Sequence, residues 1–168
     1  KNGVPLWLPL IVHMIDTKNV GTWLYNCWFC DGQKSLLTRR LSEDEVIKLV
    51  QFICYIHDIG KAIPAFQIKK SYDEHRALDN YLINRLVRKS FTGLNDLLLN
   101  SAGKSKHACA GEAILEEAGL NETVAALVGG HHGKPQSGNQ RSQLDEYTAN
   151  YYQVDQCQSN QDRAVQSR

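Results

Sequence analysis

The sequence predicts an all-α fold, and three observations predict it. Apolar residues recur at spacings of three and four through the long segments, Gly and Pro are sparse inside those segments, and sustained alternation of strand type is absent. The length of 168 residues, with 42% hydrophobic and 22% charged, suits one globular domain able to bury a sizeable core.

The elements follow in order. A first helix is predicted from about Pro9 to Cys30, with Leu10, His13, Thr17, Val20 and Leu24 on one face. A second opens at Ser42, where Ser42 and Glu45 make a capping box and Glu43 and Asp44 favour the positive end of the helix. Its inward stripe is Val46, Leu49, Val50, Ile53 and then His57, and Gly60 and Pro64 break it. A third, from about Asp73 to Ser90, carries Leu78, Leu82 and Leu86 inside and Arg76, Arg85, Arg88 and Lys89 outside. Thr92 to Ser105 reads as a short Leu-rich piece and a loop. A fourth helix spans about Lys106 to Ala118, with Gly119 as its stop, and Asn121 caps a fifth whose face Val124, Leu127, Val128 leads into His131. The 33 residues from Gln136 to Arg168 contain eight Gln, and they read as a polar helix or loop followed by a frayed tail. The chain starts at Lys1 rather than Met, so a module of something longer is expected.

Composition excludes several function classes. No run of about 18 apolar residues occurs, and the stretch from Val4 to Met14 is interrupted by Pro5, Pro9 and His13, so neither a membrane span nor a signal peptide is expected. Five cysteines, an odd number spread thinly, argue against a disulfide framework and for a reducing, cytoplasmic setting. Nineteen Lys and Arg against 18 Asp and Glu leave a net charge of +1, so no global basic signature marks nucleic-acid binding.

The histidines carry the chemistry. Of six, five sit in suggestive places: His13, His57 and His131 fall on apolar helix stripes, His107 starts the stripe through Ala110, Gly111 and Ile114, and His132 follows His131. Asp58 follows His57 directly, with Gly60 and Lys61 beyond it. Imidazole and carboxylate turned into a core are costly unless something satisfies them. One such histidine is ordinarily a hydrogen-bonded core residue, whereas five with an adjacent Asp point to bound cations that accept the imidazole lone pairs and offset the carboxylate. His and Asp ligands without thiolate suit Mn, Fe, Co, Ni or Zn rather than Ca. Asp58, with two oxygens, is able to bridge two ions, which would lie roughly 3.5–4 Å apart.

His57-Asp58 with an upstream His13 and a downstream His131-His132 resembles the HD superfamily of metal-dependent phosphohydrolases. More narrowly, the run His57-Asp58-Ile59-Gly60-Lys61-Ala62 with Pro64, Phe66 and Gln67 resembles the HD nuclease domain of the type I CRISPR helicase-nuclease, as do Pro9-Leu10 with His13, Asp16 and Thr17, and His131-His132-Gly133. The resemblance covers roughly Leu6 to Gln136. It implies a compact HD-domain helical bundle with the metal site between helices, over residues 1–136, and leaves 137–168 as a polar, Gln-rich and truncated C-terminal segment. It further implies one ion held by His13, His57 and Asp58 and a second by Asp58, His107, His131 and His132. The ions implied are one or two divalent transition metals, Mn, Fe, Co or Ni first, with Mg or Zn as alternatives. Asp58 and Lys61 are the implied catalytic pair, Lys61 neutralising the phosphate charge that builds in the transition state. The implied reaction is hydrolysis of single-stranded DNA by a metal-activated water. The implied partners are a helicase domain on the same or a partner chain and the RNA-guided CRISPR surveillance complex, in the cytoplasm of a prokaryote.

One departure stands out. The family supplies a further Asp from a late helix, and Asp145, Asp155 and Asp162 sit in Gln-rich surroundings that do not match it, so the chain is expected to end before that residue. Among the other candidates, His75 beside Asp73 and Glu74 reads as solvated surface. Cys27 and Cys30 form a lone Cys-x-x-Cys and read as buried or half-buried helix cysteines, while Cys54 and Cys109 read as core. Gly129-Gly130 lack a Walker pattern and read as freeing the backbone so that His131 and His132 both face inward. Lys69-Lys70 and Lys134 follow the two motifs closely and are candidates for lining a phosphate path.

Two other functions stay open at this point. One is an HD phosphohydrolase acting on cyclic dinucleotides or nucleotides, although Gly133-Lys134-Pro135-Gln136 stands where such phosphodiesterases carry Gly-Tyr-Pro. The other is a non-catalytic docking module in which metal only stabilises the fold.

Overall fold

Helical periodicity and local caps produce nine α-helices among the described residues, and no strand. The structure, a computed structural model, describes residues 7–70, 75–89, 91, 94, 99 and 102–152.

Helix α1 (Leu10–Cys27) is shorter than its apolar run because a second helix, α2 (Asp31–Leu37), starts on its own cap: the Cys30 N–H donates to Gln33 Oε1 at 3.0 Å. Cys27 and Cys30 are therefore exposed at the junction, not half-buried within one helix; Cys54 is half-buried and Cys109 buried. The inward face of α1 runs through Met14 and Tyr25. Val20, expected on that face, is 55% exposed, since α1 is apolar on both sides and Ile11, Ile15 and Trp23 occupy the outer one.

Helix α3 (Glu43–Ile56) has the expected box: Ser42 N–H donates to Glu45 Oε2 at 2.7 Å and Glu45 N–H to Ser42 Oγ at 3.3 Å. It packs against α1 closely where Gly21 meets Cys54; a Cβ on Gly21 would lie 2.4 Å from the Cys54 sulfur. That approach brings the start of α1 to the end of α3. A 3-10 turn (Ile59–Ala62) and α4 (Pro64–Gln67) follow, with Pro64 starting α4.

Helix α5 (Arg76–Val87) is N-capped by His75, whose Nδ1 accepts the Leu78 N–H at 3.3 Å. Its Leu78, Leu82 and Leu86 are half-buried and its Arg76 and Arg85 exposed, as are Arg88 and Lys89 just beyond it, as the pattern predicts; residues 73, 74 and 90 lie outside the described set. So does most of the Leu-rich stretch that follows, although Leu94 is buried.

The centre of the bundle is α6 (His107–Glu117), in which every residue from Ala108 to Ala113 is buried. Its small side chains let the 3-10 turn and α7 (Glu122–Gly129) approach it. Asn121 caps α7, its Oδ1 accepting the Thr123 N–H at 3.0 Å. The buried face of α7 is Ala125 and Val128, and Leu127 is 55% exposed, one position off the predicted stripe. Ile56, Leu115, Ala125 and Val128 form one apolar cluster.

The Gln-rich stretch folds further than its composition suggests. Helices α8 (Ser142–Glu146) and α9 (Thr148–Tyr151) place Leu144, Tyr147 and Tyr151 in a second cluster with Ile63, Ala65, Ala110 and Ala113. Asn150, fully buried, donates Nδ2 to Ser105 Oγ at 2.9 Å. Residues 153–168 lie outside the described set. No described helix is long and apolar enough to cross a membrane.

Candidate metal centre

Four separate segments meet at Asp58, which is 2% exposed. His13 comes from the first turns of α1, His57 and Asp58 from the end of α3, His107 from the first residue of α6, and His131 and His132 from just beyond α7. The sequence placed His57 and His131 on helix stripes. Both lie immediately past the helix end, and the difference has chemical content. Carbonyls of a last helical turn lack intrahelical partners. Here Cys54 O accepts from His57 Nδ1 at 2.8 Å and Val128 O from His131 Nδ1 at 2.6 Å. Each bond fixes the tautomer and leaves the Nε2 lone pair aimed inward.

Asp58 Oδ2 faces His13 Nε2 at 2.9 Å, His57 Nε2 at 3.2 Å and Lys61 Nζ at 2.6 Å. Oδ1 faces His107 Nε2 at 3.5 Å and His131 Nε2 at 3.6 Å. His132 Nε2 stands 2.8 Å from His107 Nε2. Ligand atoms of His13, His57 and Asp58 form one group, and those of His107, His131 and His132 another, each within 4.8 Å of one another. The structure thus brings all six predicted ligands and Lys61 together. His75, capping α5, and Asp145, exposed on α8, belong to neither group; Asp155 and Asp162 lie outside the described residues.

The protonation states sharpen this. Burial pushes His107 down to about 4 against the pull of Asp58, and burial likewise lowers His131. Both rings are neutral near pH 7. Burial also works to raise the Asp58 carboxyl, but the Lys61 hydrogen bond and ammonium, with His57 and His107 beside them, outweigh it, and the carboxyl ionises below its ordinary range. The His131 lone pair therefore confronts a carboxylate oxygen, and Asp58 Oδ1 and His131 Nε2 are both buried without a hydrogen-bond partner. A shared cation removes the conflict: two ligands each about 2.1 Å from an ion lie roughly 3.0–3.6 Å apart at angles of about 90–120°. The donor set fits a divalent transition ion.

Two backbone features hold the arrangement. A Cβ on Gly60 would fall 1.9 Å from the His107 carbonyl oxygen, so only glycine lets the turn after Asp58 touch α6. Gly129 and Gly130 do not supply unusual backbone angles, contrary to expectation; the left-handed residue is Gly133, at φ +81, directly after the histidine pair. Gln136 was not legible as part of the site. Its Nε2 donates to Gly129 O at 2.7 Å and its Oε1 accepts from Cys109 Sγ at 2.9 Å, closing the loop that carries His131 and His132 onto α6. Its only sequence signal was proximity to that pair.

The family model described as "Cas3, HD domain" matches residues 1–168. The chain is 40% identical over 163 residues to the "CRISPR-associated nuclease/helicase Cas3" of Streptococcus thermophilus, a match covering 91% of this chain and 17% of that relative. The chain thus spans about a sixth of the length of the curated relative it matches. No solved structure matches it significantly.

Proposed function

The chain belongs to the Cas3 HD-domain family, and from that premise we propose that it is a metal-dependent nuclease module that hydrolyses single-stranded DNA in type I CRISPR interference. In this reading it works beside a helicase domain, on the same or a partner chain, and is directed by an RNA-guided complex. The observation that carries it is the convergence of five imidazoles on one carboxylate, with Asp58 Oδ1 and His131 Nε2 buried 3.6 Å apart and neither hydrogen-bonded.

His13, His57 and Asp58 would hold one ion, and Asp58, His107, His131 and His132 another. Bound divalent ions supply Lewis acidity and lower the pKa of water. The protein's own groups do the rest. The Cys54 and Val128 carbonyls orient His57 and His131. Asp58, its two oxygens turned to the two groups, joins them. Lys61 touches Asp58 and also lines the adjoining cleft, where its ammonium is available to a phosphate gaining charge.

Assay of the full chain, loaded separately with Mn, Co, Ni or Mg, against single-stranded DNA, a cyclic dinucleotide and a deoxynucleoside triphosphate tests the reading. Cleavage of DNA, lost in Asp58→Ala, is expected. Turnover of the cyclic dinucleotide but not DNA would replace this reading with the phosphodiesterase one. Metal binding without turnover of any substrate would replace it with a metal-stabilised docking module.

A further inference from the structure

We infer that one DNA strand crosses this centre between two cation-lined clefts, and that Trp7, with Arg85 over its ring, is a stacking platform for a base flanking the reactive phosphate. The inference rests on the nuclease reading and adds to it where the strand lies and how one side of it is gripped.

The first cleft, of about 820 Å³, opens from His13 and Lys61 between the start of α1 and α5, and its walls include Trp7, Phe66, Lys69, Lys70, Arg85 and Lys89. The second, of about 470 Å³, opens from His107 and His132 and is walled by Lys69, Lys106 and Lys134. Among the described residues no carboxylate lines either cleft. Acids and bases nearly cancel over the whole chain, so this segregation is local, and it lies on both sides of the candidate ions. Lys69 belongs to both clefts. A strand that follows the cations thus passes over Asp58, the geometry expected when a polyanion is led across a reactive centre.

The two sides differ in one respect. The first cleft holds aromatic surface: Arg85 lies 5.3 Å from the Trp7 ring centroid and Lys69 4.8 Å from the Phe66 centroid, while Tyr81, outside the cleft, packs at a steep angle on Trp7 with centroids 5.6 Å apart. Indole and guanidinium planes both accept a stacked base, without regard to its identity. The second cleft offers cations without indole, phenyl or guanidinium among its described residues, its planes being the His107 and His132 rings already assigned to an ion. Bases are therefore held on the His13 side and phosphates alone on the His132 side.

The test uses the full chain. A single-stranded oligonucleotide carrying 5-iodouracil is photo-crosslinked in chelator and the site mapped by mass spectrometry. KM for cleavage of the unmodified strand and of one with a single abasic position is then compared in wild type, Trp7→Ala and the Lys69→Glu, Lys89→Glu double variant. Melting temperature and metal content serve as checks of folding. A crosslink at Trp7 is expected, with KM raised roughly tenfold or more in either variant. The abasic penalty should vanish in Trp7→Ala, and the salt dependence of KM should flatten only in the charge variant. Crosslinks confined to other surfaces, or an unchanged KM in both variants while wild type cleaves DNA, would overturn the inference and leave the nuclease reading standing. A crosslink at Trp7 in a chain that cleaves no DNA would uphold the cleft and remove the nuclease reading.

Discussion

Asp58 Oδ1 and His131 Nε2 stand 3.6 Å apart in the interior, and neither has a hydrogen-bond partner. A carboxylate oxygen and an imidazole lone pair repel unless a cation lies between them. On the other side of Asp58 the balance differs, because Lys61 already donates to Oδ2.

The first consequence is that metal stabilises the fold. At an ion concentration of about 100 Kd, binding contributes about 2.7 kcal/mol, so chelation should lower the melting temperature of this domain by roughly 5–10 °C. Differential scanning calorimetry with and without chelator measures it, and His131→Ala should shrink the shift, leaving only what an ion at His13, His57 and Asp58 contributes. Equal transitions with and without chelator would mean that the rings need no cation.

The second concerns order of filling. The ion on the Oδ1 side, near His107, His131 and His132, should bind first, and the one near His13 and His57 second, because Lys61 competes for Oδ2. In calorimetric titration, His107→Ala should remove the tighter step and His13→Ala the weaker. His75→Ala, remote in its capping role, should leave metal content unchanged; a loss of metal there would show that the wrong imidazole has been assigned.

Lys61 separates charge chemistry from metal binding. Lys61→Ala should retain metal and lower kcat about 10²–10³-fold, the range seen when one group stabilising transition-state charge is removed. Steady-state kinetics on DNA, with metal measured by elemental analysis, checks both halves of that statement. Loss of metal in proportion to activity would make Lys61 a structural counter-ion instead.

Glu112 sets a pH dependence that involves none of these ligands. It is 7% exposed, its Oε2 has no hydrogen-bond partner, and burial, with Glu116 nearby, raises its pKa above the usual 4.5. As pH rises through about 4.5 the unfolded chain releases this proton while the folded chain keeps it, so stability falls as pH rises from there to the folded-state value. Glu112→Gln should remove that fall and stabilise the protein at pH 7. Denaturant unfolding at pH steps from 4 to 8 would show parallel curves for wild type and variant if the idea is wrong.

The site was more legible in the sequence than the packing was. His13, His57, Asp58, His107 and the His131-His132 pair stood out because imidazoles among apolar neighbours demand an explanation. Helix caps at Ser42 and Asn121 were equally plain, because capping is local. What failed was rotational phase. Val20 and Leu127 seemed inward because α1 and α7 carry apolar residues around more than one face, and periodicity then leaves the core side undetermined. Leu144, Tyr147 and Tyr151 were hidden by the Gln around them, although three large side chains are enough to dock two short helices. Gln136 escaped because its partners, Gly129 O and Cys109 Sγ, are defined only once the loop has closed.

The contact between Gly60 and the His107 carbonyl is made by main chain on both sides. The spacing between the turn after Asp58 and the start of α6 is thereby set by helix packing of main chain on main chain, not by rotamers that neighbouring substitutions are free to adjust. Substitution can recut the walls of the clefts while this main-chain spacing keeps its length.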